Sequence, residues 1–323
     1  MRKFLLGLLV VLLLAGGGAA WYAKQAWTSP GPLAAETPIV VPRGGSTAGI
    51  AGLLAERGAI RDSRLFMAAV WLTRGEGPLR AGEFLLPARA SLETVLDVLR
   101  NARPVQRRIT LPEGLTARQM VAILQQAEGL TGDVPAVAEG ELLPETYNFS
   151  YGDTRAAVAQ RAAAAMKSAL EQLWADRAQN LPIDSPREAL ILASIVERET
   201  GQKEERPRVA AVFINRLRRG MPLQSDPTVA YAAADGGVLE RPLSRADLER
   251  DHPFNTYRNR GLPPGPIASP GTEALRAVLK PLETDELYFV ADGSGGHAFA
   301  RTLVEHNRNV ARWRAIERQR GAR

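Results

Sequence analysis

The chain contains no cysteine and only three histidines among its 323 residues. The absence of cysteine excludes thiolate nucleophiles, iron–sulfur clusters and cysteine-based zinc sites. His252, His297 and His306 lack the i, i+4 spacing of a helical zinc site, and the sequence has no G-x-S-x-G serine elbow. We therefore expect no metal, no cofactor and no serine nucleophile.

Lysine is also scarce, because only five of the 41 basic residues are lysine. The formal net charge is +6, but no basic block interleaved with aromatic residues occurs before the C-terminal tail. The charge thus gives no reason to expect a nucleic-acid partner. A basic helix is predicted from Leu303, and it either contacts an anionic polymer or presents a solvated face.

A long apolar stretch lies near the N-terminus. Residues 4–22 carry no charge, and these 19 residues are enough to span a bilayer as a helix. A cleaved signal peptide is the competing interpretation, since small residues precede Trp21. Aromatic residues at Trp21, Tyr22 and Trp27 are typical of a membrane interface and favour a retained single-pass anchor. We predict a short cytoplasmic stub and a transmembrane anchor in residues 1–27.

The charges at the start of the chain predict its orientation. Arg2 and Lys3 precede the apolar stretch, and the positive-inside rule keeps such residues in the cytoplasm. The remaining chain is then expected outside the cytoplasmic membrane. Its partners should accordingly be components of the cell envelope.

A linker and a small module are predicted after the anchor. Residues 28–38 contain three prolines and one glycine with no helical or strand period, and they predict a short stiff linker. Residues 39–104 predict a strand, a helix, a second helix capped by Asp62 or Ser63, and a further strand with its own helix. Strand, helix, helix, strand is the order of a LysM-like glycan-binding module, although any small α+β unit gives this pattern.

The remaining residues, 105–323, predict a mixed α+β domain, so the chain as a whole is expected to be α+β. Residues 144–153 form an aromatic-rich loop, after which Asp153 caps an alanine-rich helix that reaches about residue 178. Two strands around a glycine-rich turn are expected in residues 287–302. This domain carries the residues that point to chemistry.

One helix of this domain has well-marked limits. Ser185, Pro186 and Glu188 provide an N-cap, a first-turn proline and a capping-box acid. Gly201 occupies the position of a C-cap glycine. The last turn before that glycine is rich in charge, although the preceding residues are largely apolar.

The two glutamates in this last turn, Glu197 and Glu199, differ in their surroundings. Residues three, four and seven apart share a helix face, so Glu199 lies above Leu192, Ile195 and Val196. Glu197 points about 200° away from it. Burial and the helix dipole would both raise the pKa of the Glu199 carboxyl, as a general acid requires. The alternative is that both glutamates form ion pairs at a solvated helix end.

Four motifs occur in order along the chain. They are LASIVERETG (192–201), RVAAVFINRLRRGMPLQSDPTVAYA (208–232), NTYRNRGLPPGPIASPG (255–271) and LYFVADGSGGHAFARTLVEHN (287–307). Together they resemble the MltG-type (YceG-like) endolytic murein transglycosylases, and the resemblance covers nearly the whole chain, including the anchor and the LysM-like region. One departure lies in the loop LLPETYNF, where Glu145 replaces the more common aspartate.

The resemblance implies a lytic transglycosylase, a lyase acting on a polysaccharide, with Glu199 at the end of a helix as its catalytic residue. Glu199 would protonate the oxygen between N-acetylmuramic acid and N-acetylglucosamine, then as a carboxylate take the proton of the muramyl 6-hydroxyl. That hydroxyl closes on the anomeric carbon and leaves a 1,6-anhydro end. The residues expected to bind substrate are Thr200, Gln224, Ser225, Asp226, Thr228, Asn255, Thr256 and Tyr257. Asp226 is expected either to assist the reaction or to serve as a structural cap.

The resemblance also implies partners and a location. They are peptidoglycan glycan strands, the bacterial inner membrane, and glycan synthases such as penicillin-binding proteins, with the catalytic domain on the periplasmic side. Cleavage of nascent strands would terminate their elongation. Two alternatives remain: a non-catalytic, membrane-anchored glycan-binding scaffold, and a muramidase that uses water and leaves a reducing end. The presence of Glu199 favours an enzyme over the scaffold, and only the product separates the two enzymes.

Overall fold

The computed structural model describes residues 2–321 and the side chains of residues 6–320. It is a mixed α+β fold with one long apolar helix near the N-terminus, as the sequence predicts. Met1 and the side chains of Arg2 and Lys3, on which the predicted orientation depends, lie outside the described part of the chain.

The chain divides into two compact units. Unit 1 is the chain up to Arg107 together with Gly129–Thr131 and Asn148–Asp153. Unit 2 consists of Arg108–Glu128, Gly132–Tyr147 and the chain from Thr154 onward. The predicted boundary between residues 104 and 105 remains a prediction.

Unit 1 contains the predicted order of strand, helix, helix and strand. Its elements are α1 (Arg2–Thr28), β1 (Thr37–Val41), α2 (Thr47–Glu56), α3 (Ser63–Leu72), β2 (Gly82–Leu86) and α4 (Leu92–Asn101). The two strands pair antiparallel with Ile39 opposite Phe84, and both side chains are buried in a core shared with the helices. Asp62, rather than Ser63, caps α3 by accepting the N–H of Arg64. The likeness of this module to LysM, and its binding of glycan, remain predictions.

Helix α1 contains an apolar segment, Leu6–Thr28, that is long enough to cross a membrane. Trp21 and Tyr22 are exposed on it. The predicted aromatic belt does not extend to Trp27, because this side chain is half-buried against the core of unit 1. Helix α1 therefore reaches the folded module before it ends.

Residues 28–38 do not form the separate linker that the sequence predicts. The Gly31 N–H donates to the carbonyl of Arg89 at 3.0 Å, and the Arg89 N–H donates to the carbonyl of Leu33 at 2.8 Å. The Leu33 side chain is buried in the core of unit 1. Proline and glycine are common in linkers, but they also suit an ordered segment that packs against residues distant in the sequence, so the composition alone was misleading.

A second two-stranded sheet is formed by β3 (Gln106–Thr110) and β4 (Thr146–Ser150). Strand β4 lies within the region that was predicted to be an aromatic-rich loop, so that prediction was wrong in part. Extended residues of β-favouring type, such as Tyr147 and Phe149, account for the strand.

Unit 2 packs its helices around a separate core. Its elements are α5 (Ala117–Gln126), α6 (Arg155–Ala175), α7 (Pro186–Glu199), α8 (Arg206–Arg218), α9 (Asp226–Ala233), α10 (Arg245–Glu249), α11 (Thr272–Leu279), β5 (Tyr288–Ala291), β6 (His297–Ala300) and α12 (Leu303–Gly321). The core is built mainly from apolar faces of α7, α8 and α11. Strands β5 and β6 form the predicted hairpin around a glycine-rich turn.

The cap of helix α6 differs from the prediction by one residue. Thr154, not Asp153, accepts the N–H of Ala157 at 3.1 Å, and the helix ends at Ala175. Asp153 instead accepts the N–H of Ser150 at 2.8 Å and closes a turn. Both residue types are good N-caps, so the sequence alone could not choose between neighbours.

Candidate active site

Glu199 is the last residue of α7, and the limits of this helix decide where its carboxyl lies. Ser185 Oγ accepts the N–H of Glu188 at 3.2 Å, so the helix begins where the sequence predicts. The Glu188 carboxylate accepts the N–H of Asp184 and so does not close the predicted capping box. The helix ends because Thr200 is extended, with φ −139° and ψ 132°, and not through the predicted left-handed glycine.

The apolar face predicted beneath Glu199 is present. Leu192, Ile195 and Val196 are fully buried, whereas Glu199 is half-buried. Ser225 Oγ donates a 2.5 Å hydrogen bond to Oε1 of Glu199. Among the described residues Oε2 has no hydrogen-bond partner, so one oxygen is held by the protein and the other is available.

Burial raises the pKa of Glu199 to about 7. The hydrogen bond from Ser225 lowers this pKa, the negative charge of Asp226 raises it, and the positive charge of Arg216 lowers it, but these effects are smaller than desolvation. A carboxyl with a pKa near 7 is partly protonated at neutral pH. It is therefore able both to donate a proton and to accept one.

Buried hydroxyl groups hold Ser225 against Glu199. The Ser225 N–H donates to Thr256 Oγ1 at 3.0 Å, and Thr228 Oγ1 donates to the Ser225 carbonyl at 2.7 Å. The hydroxyls of Thr228 and Thr256 also bond each other at 2.8 Å. All three side chains are buried. The family resemblance suggested Thr228 and Thr256 as substrate contacts, but their hydroxyls are hydrogen-bonded within the protein.

Three of the predicted residues keep accessible surface beside this network. Gln224 is exposed and has a left-handed backbone with φ +51°. Asp226, the exposed first residue of α9, accepts a 2.7 Å hydrogen bond from the hydroxyl of Tyr257. Tyr257 is half-buried, and desolvation followed by the contact with Asp226 raises its pKa, so the hydroxyl stays protonated.

Two predicted residues support loops. Asn255 is buried; its amide donates to backbone carbonyls, including that of Arg250 at 2.8 Å, and its Oδ1 accepts the Tyr257 N–H at 3.0 Å. Thr200 is also buried, and its hydroxyl oxygen accepts the N–H of Gln202 at 3.1 Å. These polar atoms of both residues are therefore hydrogen-bonded within the protein itself.

Glu197 does not lie at a solvated helix end. It forms a 2.6 Å ion pair with Arg206, and each side chain is only 4% exposed. Its second oxygen accepts the Gly271 N–H at 2.9 Å, and Arg206 also contacts Glu113 at 3.1 Å. Burial raises the pKa of Glu197, and the hydrogen bond from Gly271 opposes that rise. The two glutamates of the last turn therefore have separate partners, and Glu197 belongs to a buried structural cluster.

Glu199 also lines a cavity of about 240 Å³, and the sequence interpretation did not identify the residues that line it. Among those that line it, besides Glu199, are Gly293, Gly295, Gly296, His297, Trp313 and Arg320. His297 is held by Glu205, which accepts its backbone N–H at 2.9 Å and lies 2.7 Å from its Nδ1. The run GSGGH in the fourth motif is the only sequence signal near this cavity, and by itself it predicts no more than a turn.

The arrangement suits proton transfer by one residue. In residues 2–321 no group of three or more histidine, aspartate or glutamate side chains is placed to hold a metal ion. Asp226 influences Glu199 through its charge, without a hydrogen bond between them among the described contacts. One acid with an available oxygen, bordered by polar side chains and a cavity, is equipped for general acid–base chemistry on a bound ligand.

Comparison with known proteins places this site in a family. Residues 39–312 match the model of the YceG-like family. The chain is 32% identical over 302 residues to the endolytic murein transglycosylase of Bacillus subtilis, covering 84% of this chain and 82% of that protein. It is 29% identical to the endolytic murein transglycosylase of Streptococcus pneumoniae, covering 96% of this chain and 65% of the relative.

A solved structure supports the same relationship. The crystal structure of a YceG-like protein from Listeria monocytogenes superposes with a TM-score of 0.54 at 27% identity, covering 84% of this chain and 98% of that one. The family match includes Glu199 and the residues that contact it. This chain therefore belongs to the YceG-like family.

Proposed function

We propose that this protein is an endolytic murein transglycosylase that cleaves the bond between N-acetylmuramic acid and N-acetylglucosamine in peptidoglycan. The observation that carries the proposal is the carboxyl of Glu199, half-buried over an apolar face, held at one oxygen by Ser225 and free at the other. Its pKa of about 7 is that of a group that can act as acid and base in turn. Relatives over most of the chain carry this activity in their names.

The reaction needs only one proton-transferring residue. Protonated Glu199 gives its proton to the glycosidic oxygen as the bond from that oxygen to the muramyl anomeric carbon breaks. The resulting carboxylate takes the proton of the muramyl 6-hydroxyl, whose oxygen bonds to the anomeric carbon. The products are a 1,6-anhydro end and a new hydroxyl on the leaving sugar, and Glu199 is again protonated. No water enters, in contrast to hydrolysis by two carboxylates.

The neighbouring residues take two kinds of role in this scheme. Gln224, Asp226 and Tyr257 keep accessible surface beside Glu199, and we assign them to contacts with the glycan. The negative charge of Asp226 also favours the cationic transition state of glycoside cleavage. The buried residues fix the geometry of that surface and of the acid; they are Thr200, Ser225, Thr228, Asn255 and Thr256.

The proposal extends to the place of action. Helix α1 is apolar over enough length to anchor the chain in a membrane, with the folded units on the periplasmic side. Unit 1 would hold glycan as a LysM-like module. Cleavage beside a membrane-bound glycan synthase would then terminate elongation of nascent strands.

Glu199→Gln tests the reaction. The amide keeps the shape of the side chain but cannot deliver a proton, so release of fragments from purified sacculi should fall by about 10²–10⁴-fold. Glu204→Gln is a matched control, because Glu204 is exposed and lies only five residues along the chain. Its activity should equal that of the parent.

Mass spectrometry of the fragments separates the remaining possibilities. Anhydro ends are expected from the parent protein. Reducing ends would identify a muramidase instead, and the absence of cleavage by the parent would favour a non-catalytic scaffold. Equal activity of the parent and Glu199→Gln would remove Glu199 from the mechanism.

A further inference from the structure

We infer that the cavity beside Glu199 is a subsite for one sugar ring of the glycan, with Trp313 as its apolar platform and His297 as its polar contact. The inference rests on the proposed function, and it adds residues that lie beyond the family match. Trp313 and Arg320 lie in α12 after residue 312, where the family match ends.

The cavity is placed for a ligand that also meets the acid. Glu199 and Thr200 form one side of it, and the turn between β5 and β6 forms another. Helix α12 supplies Trp313 and Arg320. Ser225, which holds Oε1 of Glu199, does not line this cavity. Glu199 is thus shared by this cavity and by the hydrogen bond to Ser225, so a glycan bound in the cavity lies within reach of the acid.

The glycines Gly293 and Gly296 let the turn beside the cavity lie close to its neighbours. A Cβ on Gly296 would lie 2.6 Å from Oε1 of Glu205. A Cβ on Gly293 would lie 3.1 Å from the side chain of Ile316 on α12, and Gly293 has φ +88°. The turn is therefore held between the loop that contains Glu205 and helix α12, which fixes two walls of the cavity.

His297 is oriented rather than mobile. Glu205 accepts its backbone N–H and contacts Nδ1 of its ring, so the pair is bound at two points. A carboxylate at Nδ1 favours the tautomer with a proton on that nitrogen. Among the described contacts Nε2 has no hydrogen-bond partner. The ring thus offers its second nitrogen to a hydroxyl or amide of a ligand.

The chemistry of the walls selects a sugar. A volume of about 240 Å³ lies below the ~300–1,000 Å³ of pockets that enclose a whole drug-sized ligand, and it suits one unit of a longer chain. An indole offers an apolar face, which fits the C–H face of a pyranose, while a fixed imidazole and backbone amides fit its hydroxyl and acetamido groups. The guanidinium of Arg320, hydrogen-bonded to the carbonyl of Gly293, adds a positive charge that suits the lactyl carboxylate of a muramyl residue without a stem peptide.

The test uses the full chain with Glu199→Gln to prevent turnover, and linear oligosaccharides of alternating N-acetylglucosamine and N-acetylmuramic acid as the probe. Trp313→Ala should weaken binding by about tenfold, equivalent to ~1.4 kcal/mol. Trp313→Phe retains an aromatic ring and should recover most of that loss. Arg314→Ala is the matched control, because Arg314 is exposed on the same helix and does not line the cavity.

A spectroscopic measurement separates a sugar contact from a purely structural role. Saturating oligosaccharide should change the tryptophan fluorescence of Glu199→Gln, and this change should be absent when Trp313→Phe is added. If the parent cleaves glycan, but the Trp313 variants bind the oligosaccharide with the same affinity and the same fluorescence change as Glu199→Gln alone, the subsite is overturned and the proposed function stands. Absence of cleavage by the parent would overturn the proposed function, and the subsite with it.

Discussion

The rate of cleavage should follow the titration of Glu199, because the reaction begins with its protonated form. A pKa of about 7 means that roughly nine tenths of the enzyme is active at pH 6, about half at pH 7 and roughly one tenth at pH 8. The value of kcat/KM should therefore fall by about tenfold between pH 6 and pH 8. Above pH 8 it should continue to fall by about tenfold per unit.

Two substitutions should shift the high-pH limb of the kcat/KM profile, which is the fall in rate between about pH 6 and pH 8, in opposite directions. The hydrogen bond from Ser225 lowers the pKa of Glu199, so Ser225→Ala should raise that pKa and carry the limb to higher pH. The charge of Asp226 raises the pKa, so Asp226→Asn should carry the limb to lower pH. Asp235→Asn makes the same exchange just beyond the other end of α9 and should leave the limb in place.

The assay is the initial rate of anhydro-product release from a defined oligosaccharide at constant ionic strength, from about pH 5.5 to pH 9. Direction is the decisive quantity, because either substitution can also lower the maximal rate through lost contacts. A rate that does not change with pH near 7, or a limb that shifts in the same direction in Ser225→Ala and Asp226→Asn, would refute Glu199 as the titrating acid.

Two further predictions concern stability. Glu197→Gln should lower the free energy of unfolding by about 3 kcal/mol in a denaturant titration, because the buried Arg206 then keeps only its contact with Glu113. The control is Glu273→Gln, which removes an exposed ion pair with Arg276 and should cost less than about 1 kcal/mol. Gly31→Ala should lower the free energy of unfolding by about 1–3 kcal/mol and speed proteolysis between residues 29 and 36, because its Cβ would lie 2.0 Å from the Ala90 carbonyl oxygen. Gly52→Ala, a helical position with no atom within 4 Å of the added Cβ, should be neutral or stabilising, and equal proteolysis of the two variants would contradict the docking of this segment.

The elements that the sequence predicted well are those determined by neighbours along the chain. Ser185 begins α7 as expected, because the capping oxygen and the N–H that it accepts lie within three residues of each other. The row of Leu192, Ile195 and Val196 beneath Glu199 also follows from helical spacing alone. The family resemblance added the four motifs, and the family match confirms the membership that they indicated.

The features that the sequence concealed depend on distant partners. One interpretation of the sequence placed Glu197 at a solvated helix end, but its ion pair with Arg206 is buried, and its second oxygen accepts the N–H of the distant Gly271. The hydroxyls of Thr228 and Thr256 match a motif for ligand contact, but they meet each other across two separate segments. Trp313 carries no signal in the basic tail, because only the folding of α12 against the hairpin brings it to a cavity.

The docking of residues 29–36 determines what kind of mechanical element joins the bilayer to unit 1. A flexible tether extends under force at a cost in chain entropy, and it allows the domain attached to it to rotate freely. A segment hydrogen-bonded through Gly31 and Leu33, with its leucine buried, does neither. With α1 in the bilayer, torque on unit 1 passes directly to the helix. A change in bilayer thickness, which alters the tilt of a membrane helix, would then tilt unit 1 together with that helix.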